Sequence, residues 1–150
     1  MGRFLRMLST LGVICLVVGT VEGRNIKHLF LIAEALESKD MPEKPDGSIK
    51  FFFGNEKSPK PVKTIRSETI TRKNSLRGNS DVMACNLAFM ATLKFFEKRA
   101  KELGANAVVN IASKYGRSPE MSSPTHFECH EGSGYMAVAL RGDFVTLSDL

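Results

Sequence analysis

The residues with the most chemistry in this chain are Cys85 and the run His126-Phe127-Glu128-Cys129-His130. A thiol in such a set can pair with another thiol, ligate a metal, or attack an electrophile. A metal centre requires three or four converging donors. On an extended strand His126 and His130 lie about 13 Å apart, at roughly 3.3 Å per residue, and share one ion only if the chain turns back. Nucleophilic catalysis needs a thiolate held against a separate base. Cys129 and His130 are adjacent, so on a strand they point to opposite faces. A Cys85–Cys129 disulfide makes the fewest demands; a Cys85/Cys129/histidine metal site is the alternative.

The expected compartment favours the disulfide. Arg3 and Arg6 precede an almost continuous apolar run from Leu8 to Val18, and Val21-Glu22-Gly23 follows with small residues where a signal peptidase reads. This is the layout of a secretory signal peptide over residues 1–23, with cleavage after Gly23. The run is shorter than the roughly 20 residues of a membrane span. Cys15 follows the bulky Ile14 inside that run, a poor setting for lipidation. Cleavage leaves Cys85 and Cys129 as an even pair in an oxidising periplasm, where cysteines become disulfides. Closing so long a loop stabilises by about 4 kcal/mol, a large share of a typical roughly 5–15 kcal/mol.

A second group is basic. Lys57, Lys60, Lys63, Arg66, Arg72, Lys73 and Arg77 are balanced only by Glu56 and Glu68. They would suit an anionic envelope surface or an acidic envelope protein; equally, they are what a solvated strand edge carries against aggregation. No aromatics interleave with them for base stacking, so nucleic acid is not an expected partner. The chain carries 21 basic and 16 acidic side chains, a net +5, and loss of Arg3, Arg6 and Glu22 lowers this by one. Such mild basicity identifies no partner by itself. No phosphate-cradling G-x-x-x-x-G-K-[ST] loop and no C-x-x-C pair occurs, so no cofactor and no resident metal is expected. Phe51, Phe52 and Phe53 alternate between two faces, which suits a strand covered on both sides or one with a docking patch.

The elements that position these residues follow from periodicity. Leu29–Ser38 has the spacing and composition of a short helix. Ile49–Phe53 and Val62–Arg72 are β-prone, and Lys73–Ser80 is turn-rich. Apolar residues at Val82, Cys85, Phe89, Leu93, Phe96, Ala100 and Leu103 step by three and four, which predicts one helix over 81–103. Ser80 or Asn79 is placed to cap it and Gly104 to end it. Lys94, Glu97, Lys98, Arg99, Lys101 and Glu102 fall on the other side. Ala105–Tyr115 reads as a strand with Val109, Ile111, Ser113 and Tyr115 on one face. His126–Cys129, a Gly-rich turn and Tyr135–Arg141 form a hairpin, with Gly142 permitting a bulge before Phe144–Leu147. The expected architecture is α+β over residues 24–150: one long helix packed on an antiparallel-rich β-sheet, closed by one disulfide.

The segment Cys85, Ala100-Lys101-Glu102-Leu103-Gly104-Ala105-Asn106-Ala107-Val108-Val109, Cys129 and Ala137-Val138-Ala139-Leu140-Arg141-Gly142 resembles the YbjQ-like family and the RcsF-type envelope stress sensors over roughly residues 82–147. RcsF-type proteins also pair a cysteine early in the equivalent helix with one before the last hairpin. Over residues from His28 onward, Ile32-Ala33-Glu34-Ala35-Leu36, Ser48-Ile49-Lys50-Phe51-Phe52-Phe53-Gly54 and Asn106–Ile111 are similar to a set of small exported proteins that often carry the label "excinuclease ATPase subunit". That activity is not implied, since the nucleotide and zinc motifs are missing. This chain also departs from the RcsF pattern in having no lipidation cysteine and no second cysteine pair, so outer-membrane anchoring and the sensor role do not carry over. The resemblance implies a non-catalytic periplasmic or envelope-associated module for interaction or stress response. A metal-binding or metal-stress protein is the second expectation and an enzyme the third.

Overall fold

The structure, a computed structural model, describes residues 25–148. The expected signal peptide, residues 1–23, lies outside the described residues. The elements in chain order are β1 (Ile26–Leu31), α1 (Ile32–Glu37), β2 (Lys50–Phe53), β3 (Pro61–Ser75), α2 (Asp81–Leu103), β4 (Ala107–Ser113), β5 (His126–Glu131) and β6 (Tyr135–Leu147). They form one curled six-stranded sheet of order β1-β5-β6-β4-β2, with β3 paired to β6. All pairings are antiparallel except β2 with β4. The strand β6 organises the sheet. One edge pairs with β3 along its whole length, while the other pairs first with β5 and then with β4.

The helix α2 lies across one face of the sheet. The Ser80 hydroxyl accepts the Met83 amide and Gly104 closes the last turn at φ 71°, so both ends are capped as the sequence predicts. Its buried side carries Cys85, Phe89, Leu93, Phe96 and Ala100 against Phe127, Met136, Val138, Leu140 and Phe144. Gly142 lets the layers close: a Cβ there would sit 2.5 Å from Val108 Cγ1 and 3.3 Å from Phe96. The three phenylalanines of β2 divide as alternation requires. Phe51 and Phe53 join the main core and Phe52 joins a smaller cluster of Ala107, Val109, Val145 and Leu147.

The helical layer consists of two helices rather than one. The first expected helix, Leu29–Ser38, begins only at Ile32, because residues 29–31 complete β1. There Phe30 opposes Phe127 and His28 opposes Cys129, and an available sheet edge outweighs helix propensity for Leu and Phe. Lys73–Ser75 also join a strand instead of a turn, since β6 continues opposite them to Tyr135. On β4 the expected common face of Val109 and Ile111 is broken. Asn110 adopts φ 53° and the register slips between Val109 and Ala112, so Val109 joins the smaller cluster and Ile111 the main core. This bulge lies in β4, opposite the glycine expected to host it. Tyr115 falls beyond the end of β4. On α2, Val82 is 51% exposed, whereas Glu97 is buried and accepts the Asp46 amide at 2.7 Å. Lys101 also bonds Asp46 at 2.7 Å, and that contact holds the Asp46 carboxyl well below the usual carboxylate range. The loop after α1 is thereby clamped over a flank of α2 that periodicity alone assigns to solvent.

Candidate functional site

The two cysteines are joined. Cys85 and Cys129 form a disulfide with Cα atoms 5.9 Å apart, and both residues are fully buried. Neither thiol is available as ligand or nucleophile. His126 stands at the start of β5 with Nδ1 2.8 Å from Thr125 Oγ1, and His130 lies at the far end of the same strand segment. Among the described residues no group of three or more His, Cys, Asp or Glu side chains converges to hold a metal ion.

The seven basic residues do not form one patch. Lys57 and Lys60 lie on the loop between β2 and β3, and Lys63 opens β3. All three are exposed and make no ion pair among the described residues. Pro59 and Pro61 hold this segment extended. Val62 sits at a register slip between Pro61 and Lys63 and is 69% exposed. Arg66, by contrast, pairs with Glu68 at 3.3 Å, and Glu68 is also held by Arg99 at 3.0 Å. Arg72 turns toward the helix and stacks on Phe95 at 4.1 Å. Lys73 points the other way, over Tyr135 at 4.4 Å. Arg77 is exposed in the turn before α2. The stretch therefore comprises a lysine tip around Val62 and a mixed edge along the rest of β3.

A polar cluster went unread in the sequence. On the sheet face opposite the helix, Glu128 and His130 are almost wholly buried yet ionisable. His130 Nε2 lies 3.3 Å from Glu128 Oε2 and its Nδ1 lies 2.9 Å from Asn25 Oδ1. Lys27 pairs with the second Glu128 oxygen at 3.1 Å, and Tyr115 stacks on the imidazole with centroids 4.1 Å apart. The loop after β4 folds back through a Ser113–Met121 bridge and closes a cleft of about 360 Å³ over the group. Alternation around Cys129 was enough to place Glu128 and His130 together. Their partners were hidden because Asn25 and Lys27 come from β1 or its start, a strand that the sequence does not announce.

This cluster makes a pH prediction. Burial pushes the His130 pKa below the ordinary histidine value, against the opposing pull of Glu128. The unfolded chain therefore takes up the proton first, so His130's contribution to stability is full above about pH 6.5 and is lost as pH falls toward the lowered native value. The melting temperature of wild type relative to His130→Gln should decline over that window. A constant difference from pH 7.5 to pH 5 would refute the assignment.

No helix among the described residues is long and apolar enough to cross a membrane. No protein-family model, curated protein or solved structure matches this chain.

Proposed function

We propose that this protein is an exported, non-catalytic module of the bacterial cell envelope that attaches to an anionic surface through its lysine tip. The observation that carries the reading is the tip itself: Lys57, Lys60 and Lys63 are exposed and lack carboxylate partners among the described residues, on the same short segment as Val62, which is 69% exposed. An exposed apolar side chain on a segment with three unpaired ammonium groups suits the interface of an anionic lipid bilayer, where charge attracts and a small apolar contact adds to it. The signal-peptide layout of residues 1–23, the buried disulfide and the resemblance to RcsF-type and YbjQ-like proteins support an envelope location.

The test is sedimentation with phosphatidylglycerol–phosphatidylcholine vesicles. Binding should be clear at about 10 mM salt and weaken steeply by about 150 mM, as the screening length contracts from roughly 30 Å to 8 Å. The triple variant Lys57→Gln, Lys60→Gln, Lys63→Gln should lose about a hundredfold in partitioning, at roughly 1 kcal/mol per lysine. No binding at low salt, or binding that the triple variant retains, would remove the basis of the reading.

A further inference from the structure

We propose that the free edge of β3 from Arg66 to Ser75 is a docking site for an extended acidic peptide segment of a partner protein, which adds to the sheet as a seventh strand. This site goes beyond the lysine tip and uses different atoms. The strand β3 pairs only with β6, so among the described residues no strand pairs with its other edge. From Arg66 to Ser75 the register against β6 is unbroken, and both register slips lie before it. This stretch is longer than the five or six residues of a common strand. It contains no proline and no bulge, two of the devices that usually blunt an edge.

The backbone groups facing outward can be identified. The Thr71 carbonyl accepts from Arg72 Nη1 at 3.0 Å, and the Ser75 carbonyl accepts from Asn79 Nδ2 at 3.1 Å. Both therefore point away from β6. In an antiparallel strand the direction alternates residue by residue, so Thr69, Thr71 and Lys73 present their amides to the free edge. That row can receive an added strand.

Charge selects the occupant. Glu68 is already held by Arg66 and Arg99, whereas Arg72, Lys73 and Arg77 have no carboxylate partner among the described residues. Arg72 lies on the helix side of the edge and Lys73 on the opposite side. Successive side chains of an added strand also point to opposite sides, so an acidic segment meets a cation on each. A second copy of β3 is disfavoured, because self-pairing brings these cations together.

The probe is a synthetic decapeptide of repeated Glu-Glu-Thr-Thr (the Glu-Thr peptide), which places carboxylates on both sides of a strand, with a Lys-Lys-Thr-Thr decapeptide (the Lys-Thr peptide) as control. At low salt the Glu-Thr peptide should slow amide hydrogen exchange at Thr69, Thr71 and Lys73 by about tenfold or more. Thr71→Pro removes one edge amide without removing a bond to β6, and should weaken peptide binding about tenfold. Thr71→Val, which keeps the amide, should bind as wild type does. The lysine-tip triple variant should retain peptide binding, which separates this site from surface attachment. The proposal fails if the peptide binds without protecting those amides or if the Lys-Thr peptide binds equally well. It also fails if the tip variant abolishes peptide binding, or if anionic vesicles protect the same amides in place of the peptide. The exchange readout uses the wild-type chain, so it decides the matter even if Thr71→Pro fails to fold.

Discussion

The double variant Cys85→Ala, Cys129→Ala is expected to lose roughly 2–5 kcal/mol of stability and to melt roughly 10 °C or more below wild type. The reason lies in how β1 and β5 are attached. They form a long antiparallel ribbon, yet β5 meets β6 through only His130–Ala137 and Glu131–Met136. So short a ladder holds a two-stranded ribbon weakly. The disulfide ties β5 directly to the first half of α2, between two fully buried residues. It also restricts the unfolded chain across the long link that includes the loop from Gly116 to Pro124. Wild type in reductant should melt like the variant. Hydrogen exchange should accelerate first in β5 and β1, while the α2–β6–β3 layer keeps its protection. Free thiols in protein from an oxidising compartment, or unchanged melting of the variant, would contradict this.

Phe89→Ala is expected to cost about 3–5 kcal/mol, the range for removing a fully buried aromatic ring. The Phe89 ring stacks on Phe127 with centroids 4.2 Å apart, and Phe53 lies 6.0 Å away. Phe127 in turn meets Phe30 of β1 at 6.0 Å. The ring thus joins α2, β2 and the β1–β5 ribbon in one contact series. Urea unfolding should show a lower midpoint with an unchanged slope. Because Phe89 and Cys85 secure the same ribbon from one helix face, their effects should be coupled rather than additive. A loss below about 1 kcal/mol would place the ribbon's attachment elsewhere.

The elements legible in the sequence were those whose pattern is local. Steps of three and four from Cys85 to Ala100, with Ser80 and Gly104 at the ends, specify α2 because helical hydrogen bonds and caps join near neighbours. The final hairpin was legible for the same reason, since one short Gly-rich turn sets its register. The Cys85–Cys129 pairing needed only cysteine arithmetic and the expected compartment. Other features depended on distant partners. The strand β1 exists because β5 offers an edge about a hundred residues downstream. The slip at Asn110 moves Val109 away from Ile111, where the Asn110 amide bonds Asp143 at 2.9 Å. The basic stretch shows the division most clearly. Composition identified Lys57, Lys60, Lys63, Arg66, Arg72, Lys73 and Arg77 together, but Glu68 and Arg99 determine which of them is paired, and Phe95 and Tyr135 determine which side of the sheet Arg72 and Lys73 face. Charge is a property of each side chain and can be counted along the chain. Its availability depends on the neighbours that folding brings, and those come from elements far apart in sequence.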